Sequence, residues 1–186
     1  MKEKRARKEI VHYCRLLWDR RLVTGSSGNI SVRIRGGRFL VTPAGRSLRE
    51  LTPDDLVRVD ASGAAKHGRP TSELPLHLAC YAARPDVDAI VHTHPRFCVA
   101  WSRAGRVFPQ DTVGARETLG PVAWSAYYPP GSVALAAEVA TAARSHDTIL
   151  MERHGLTALG SCLEDAFLRS DLAEEAAALG LIAARE

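Results

Sequence analysis

The stretch 88-DAIVHTHPRF-97 decides how the rest of the chain is read. It is a short apolar run, broken by His92 and His94 and followed by Pro95. Residues i and i+2 of a strand point to the same face, so the two imidazoles are expected to project side by side. Histidine is costly to bury without a partner. The pair alone fits either two hydrogen-bonded histidines or two ligands of one ion, since neutral imidazole binds zinc at about 2.0–2.1 Å.

The flanking segments read as a mixed fold. Upstream, Thr71–Pro85 ("TSELPLHLACYAARP") reads as a helix capped by Ser72, with Pro75 in its first turn and Pro85 as its stop. Further upstream, "ISVRI", Gly36-Gly37 and "RFLVT" form a hairpin. Thr52-Pro53-Asp54-Asp55 opens a short helix, and "LVRVD" is a strand. Ile10, Cys14, Leu17 and Trp18 recur at helical spacing in an amphipathic first helix. Downstream, Pro95 opens a helix, "PVAWSAY" is a strand and Gly131–Ser145 is helical. "TILMER" and "LTAL" read as strands around His154-Gly155, where the glycine is expected to let the backbone bend sharply. Ser161-x-x-Glu164 is a capping box, opening a helix that runs toward the C-terminus. Residues 1–186 show no repeat or linker and read as a single α/β or α+β domain with several antiparallel strands.

Composition narrows the function. Apolar residues make up 46% of 186, enough for one sizeable core. The formal charge of +4 lies largely in "KEKRARK" (Lys2–Lys8), and aromatic residues are only 6%, so no nucleic-acid partner is expected. No segment is long and apolar enough to span a bilayer, and the basic N-terminus lacks a signal-peptide core, so no membrane partner and a cytoplasmic location are expected. Cys14, Cys80, Cys98 and Cys162 form no C-x-x-C pair and read as free, reduced thiols.

His154 is the third histidine held in a defined place; His12 and His77 fall on helices, His67 and His146 in polar connections. Three histidines with an open fourth position is a catalytic zinc pattern. Glu73, at a helix start, is either a fourth candidate or an ordinary first-turn acid. "GSSGN", "TPAG" and "TSE" each offer backbone N–H groups that suit phosphate, and each is also an ordinary turn or cap sequence. Phosphate binding requires that they meet in space.

In order and spacing, "GSSGNISVR", "LVTPAG", "LTPDDLV", "PTSE", "AIVHTHP" and "ERHGLTALG" make the chain resemble the class II aldolase/adducin family, specifically its L-fuculose-1-phosphate aldolase-like enzymes. The resemblance implies a three-layer α/β fold, with a central, mostly antiparallel sheet flanked by helices. It implies Zn2+, or another divalent ion such as Mn2+ or Co2+, on His92, His94 and His154. Glu73 would ligate the resting metal and then act as acid/base. Gly28 and Asn29, Ala44 and Gly45, and Thr71 and Ser72 would bind the substrate's phosphate. The implied reaction is reversible aldol cleavage of a small phosphorylated ketose to dihydroxyacetone phosphate and an aldehyde, in a homotetramer with active sites at subunit interfaces.

Three departures bear on the substrate. Ala44 stands where many relatives carry Ser or Thr. The segment "PQDTVGA" (Pro109–Ala115) lacks the family's aldehyde-protonating tyrosine, and Tyr127 and Tyr128 come too late. The chain ends at Glu186, short of a C-terminal tyrosine found in those enzymes. A decarboxylase of a 3-oxo sugar-acid phosphate, which needs no such tyrosine, is therefore the nearest alternative. A non-catalytic adducin-like module is a third reading, disfavoured because such modules lose the metal ligands.

Overall fold

The structure is a computed structural model and describes residues 1–104 and 107–183. Its elements follow the sequence pattern closely. Helix α1 (Glu3–Asp19) is followed by a hairpin of β1 (Asn29–Ile34) and β2 (Arg38–Val41), then β3 (Val57–Val59) and α2 (Leu74–Ala83). Strand β4 (Ala89–Thr93) leads to α3 (Arg96–Ser102), α4 (Val113–Leu119), β5 (Val122–Ser125) and α5 (Val133–Ala143). The hairpin of β6 (Thr148–Met151) and β7 (Gly155–Gly160) precedes α6 (Leu163–Ala183). The expected extension of α6 over the last three residues lies outside the described residues.

The strands form one seven-stranded sheet in the order β3-β2-β1-β4-β7-β6-β5. Every pairing is antiparallel except β5 with β6. Alternation along β1 separates the two faces: Ile30, Val32 and Ile34 pack with α1 and the start of α6. On the opposite face, Phe39, Val41, Ile90 and Ile149 pack under α2 and α5. Cys98, Trp101, Leu119, Leu150 and Leu156 join α3, α4 and α6 in a third cluster at one end. The result is three layers, as the family resemblance implies. Residues 89–93 of the central β4 are all buried, because helices cover both faces. Each fully buried aliphatic side chain, such as Ile10, Leu17 or Ile90, stabilises the domain by about 1.5–3 kcal/mol.

Two capping expectations are corrected. Ser72 does not cap α2: the helix begins at Leu74, Glu73 takes the cap position, and the Glu73 N–H donates to Thr71 Oγ1 at 3.3 Å. The cause is the anchoring of the preceding residues, since the Thr71 N–H is already donated to the Thr42 carbonyl at 3.0 Å. Pro75 lies in the first turn, as expected, and Pro85 holds Arg84 out of helical geometry (φ −132°, ψ 89°). At α6 the Ser161 N–H and hydroxyl donate to Asp165 rather than Glu164, because a helix starting at Leu163 puts Asp165 at its third position. The Thr52–Asp55 capping box forms as read. Helix α4, with Thr112 as its cap, was not anticipated. No helix among the described residues is long and apolar enough to cross a membrane.

Candidate active site

The register of β1, β4 and β7 assembles the site. In β4, Ile90 and His92 share the α2 face, and Asn29 lies directly opposite His92. His94 follows the strand end, and its N–H donates to the Leu22 carbonyl at 3.0 Å. His154 sits in the three-residue turn between β6 and β7. That turn departs from expectation in one respect: Arg153, not Gly155, takes the left-handed conformation (φ +55°). Gly155 is needed for space, since a Cβ there would collide with the Thr93 carbonyl and sit 3.0 Å from the His94 ring.

The three rings surround one point. Their centroids are 4.8, 4.9 and 5.1 Å apart and their planes cross at 71°, 74° and 70°. One nitrogen from each lies within 4.8 Å of the others. His92 and His94 face each other Nε2 to Nε2 at 2.9 Å. His92 Nδ1–H donates to the Leu156 carbonyl at 3.0 Å, which leaves its Nε2 as a bare lone pair aimed at the cluster. Burial holds all three rings neutral: His92 titrates far below the ordinary range, with His94 and His154 adding to the effect. His94 falls to about 4, and His154 is also lowered. The His154 Nδ1 is buried without a hydrogen-bond partner among the described residues.

This donor set fits a divalent ion. Tetrahedral zinc needs ligand nitrogens roughly 3.3–3.4 Å apart, a spacing bracketed by the present geometry. Glu73 stands outside that three-histidine group but lines the same cleft and is 4% exposed. Its Oε2 has no hydrogen-bond partner among the described residues. Burial raises its pKa, and the Gly131 N–H pulls in the opposite direction.

The three glycine- and serine-containing loops do meet. Gly28, Asn29, Ala44, Gly45, Thr71, Ser72, Glu73, His94 and His154 all line one cleft of about 200 Å³. Backbone bonds join the loops: the Ala44 N–H donates to the Arg69 carbonyl and the Thr71 N–H to the Thr42 carbonyl, both at 3.0 Å. Gly28 (φ +77°) packs so close to β4 that a Cβ would sit 3.0 Å from the His92 carbonyl. A larger cleft of about 480 Å³ lies elsewhere, beside Glu3, Arg7 and Arg58, but Glu3 already pairs with both arginines, at 2.8 and 3.2 Å.

Sequence reasoning passed over His77. It is fully buried on α2 and hydrogen-bonded to Ser31 and Asn29. The available signal was polar residues at 29 and 31 in a strand, with His77 and Tyr81 at helical spacing in an apolar helix.

Comparison with known proteins agrees with this geometry. The family model described as "Class II Aldolase and Adducin N-terminal domain" matches residues 8–181. The L-fuculose phosphate aldolase of Methanococcus maripaludis is 37% identical over 94% of this chain and 95% of its own. The 3-oxo-tetronate 4-phosphate decarboxylase of Haemophilus influenzae is 34% identical over 94% of this chain and 86% of its own. The solved L-fuculose-1-phosphate aldolase of Thermus thermophilus superposes with a TM-score of 0.85 at 30% identity, covering 96% of this chain and 95% of that one. With the family model spanning nearly every element that builds the cleft, the chain belongs to the class II aldolase and adducin N-terminal domain family.

Proposed function

We propose that this class II aldolase cleaves a small phosphorylated ketose, of the L-fuculose-1-phosphate kind, reversibly to dihydroxyacetone phosphate and an aldehyde. The observation that carries the reading is the shared cleft, in which Glu73 and three anion-suited loops stand with His94 and His154, the two members of the histidine cluster that line it. His92, His94 and His154 would hold Zn2+, with Mn2+ or Co2+ as substitutes. When bound, such an ion supplies Lewis acidity to the substrate's oxygens.

The chain's own residues supply the rest. Glu73, with Oε2 buried and unpaired among the described residues, would take a proton from the substrate and return it; burial raises its proton affinity. Gly28, Asn29, Ala44, Gly45, Thr71 and Ser72 would hold the phosphate and fix the register of the sugar. Ala44 has no hydroxyl, so its contribution, and that of Gly45, is limited to backbone N–H groups.

A second reading, decarboxylation of a 3-oxo sugar-acid phosphate, is favoured by the absence of tyrosine from Pro109–Ala115. A relative carrying a decarboxylase name is 34% identical to this chain. Incubating zinc-loaded protein with phosphorylated ketoses and with 3-oxo acid phosphates separates the two. Dihydroxyacetone phosphate release supports the aldolase, and carbon dioxide release without it replaces that reading.

A further inference from the structure

Four polar side chains interrupt the apolar interface between β1 and α2. Asn29 and Ser31 alternate along the strand, and His77 and Tyr81 lie one turn apart on the helix. Asn29 is 5% exposed, Tyr81 3%, and Ser31 and His77 not at all. They form one chain: Tyr81 Oη is 2.9 Å from Ser31 Oγ, Ser31 Oγ is 2.6 Å from His77 Nδ1, and His77 Nε2 bonds Asn29 Oδ1. Only Asn29 reaches the cleft.

The direction of these bonds is determined at the inner end. The Tyr81 ring is fixed by stacking on Phe39 at 4.5 Å and by the Arg33 guanidinium 4.9 Å from its centroid. Among the described residues its hydroxyl has Ser31 as its one hydrogen-bond partner. If Tyr81 donates to Ser31, Ser31 donates to His77 Nδ1. The imidazole proton then sits on Nε2 and is donated to Asn29 Oδ1. In the reverse order the buried phenol proton has no acceptor, which disfavours that order by roughly tenfold or more. The forward order commits the Asn29 oxygen to His77 and leaves its amide nitrogen for the cleft.

We propose that His77 is a positioning residue: through the Tyr81–Ser31–His77 chain it holds the Asn29 amide with its nitrogen toward the cleft, as a hydrogen-bond donor to the phosphate group. The inference rests on the phosphate reading given above. Against an apolar side chain at position 77 the carboxamide loses its fixed orientation, and the hydrogen bond to the anion is lost with it.

The test is calorimetric titration of zinc-loaded protein with inorganic phosphate. Loss of a hydrogen bond to a charged group corresponds to roughly ten- to a hundredfold in affinity. His77→Leu should weaken binding by about tenfold or more, and Tyr81→Phe by a smaller factor, about three- to tenfold. His77→Gln, which can still donate to Asn29, should stay within about threefold of wild type. In an Asn29→Ala background, His77→Leu should add nothing, because the effect passes through Asn29. Nitrogen-15 NMR of the wild type should find the His77 proton on Nε2. If His77→Leu does not fold, Tyr81→Phe and the tautomer decide. Unchanged phosphate affinity in Tyr81→Phe and His77→Leu, or a proton on Nδ1, overturns the inference while the phosphate reading stands. A wild-type protein that binds no phosphate overturns both.

Discussion

A lone buried histidine and a cluster of three lie on the same face of the sheet, within one strand of each other. His77 sits on the inner side of α2 with both nitrogens engaged, one by Ser31 and one by Asn29. His92, His94 and His154 turn nitrogens toward a common point, and His154 Nδ1 has no hydrogen-bond partner among the described residues. Burial and neutral charge are common to both groups. What separates them is whether the protein itself satisfies each nitrogen. A buried histidine whose partners are all supplied is a structural or positioning group; one whose lone pair faces other lone pairs is built to receive a ligand.

The largest effect that can break this contrast is loss of a ring from the cluster. His154→Ala should reduce metal content from one divalent ion per chain to almost none and abolish turnover. Loss of a direct ligand should cost more than the about 10–100-fold that an outer-shell partner costs. Elemental analysis of the folded variant reads it, and full occupancy would dissolve the distinction between the two histidine groups.

Glu73→Gln comes next. It preserves shape and the metal but removes the proton acceptor, so turnover should fall on the order of 10²–10⁴-fold while metal content holds. Near-normal turnover would take Glu73 out of the acid/base role.

Acid stability probes the other member of the comparison. Burial lowers the pKa of His77 from 6.5 to about 3. Below pH 6.5 the unfolded chain therefore takes a proton that the folded chain refuses. Stability is lost progressively as pH falls from about 6.5 toward 3, by up to about 1.4 kcal/mol per unit, or about 2 kcal/mol at pH 5. In chemical unfolding at a series of pH values, His77→Gln should show a shallower loss, by about one proton. An unchanged slope would mean that His77 charges within the folded protein.

The smallest expected effect sharpens the site's outer edge. A capping Ser72 would cost about 1 kcal/mol of stability on mutation to alanine. Glu73 occupies the cap position instead. Ser72→Ala should therefore leave the melting temperature within about 2 °C. It should weaken only phosphorylated substrates, by about tenfold, through one lost charge-assisted bond. Equal losses of kcat/KM for phosphorylated and unphosphorylated sugars would return this loop to the status of an ordinary turn.

Much of the architecture was legible without coordinates because it depends on local rules. A short apolar run identified β4, and the strand period of two placed His92 and His94 on one face. Proline and glycine marked the ends of α2 and the β1–β2 turn, and Ile10, Cys14 and Leu17 marked the buried stripe of α1. The capping errors were one-residue errors: at Ser72 a backbone bond from Thr71 to Thr42 anchors the residues before the helix, and at Glu164 a helix starting at Leu163 puts Asp165 third. Helix α4 escaped because its seven residues carry no sustained apolar period.

Local sequence by itself thus determined the order of strands and helices and the paired histidines. It also singled out Glu73 and the three glycine- and serine-containing loops, to which the family resemblance gives metal, acid/base and phosphate roles. Tertiary structure decided that these parts share one cleft, that Gly155 is required by the Thr93 carbonyl and the His94 ring, and that His77 faces Asn29 rather than a metal. The reason is that propensity and periodicity act over a few residues. Convergence is set by the register in which β1, β4 and β7 pair and by the packing of α2 across them, contacts spanning 46 to 65 residues in the bonds of His77 and His92.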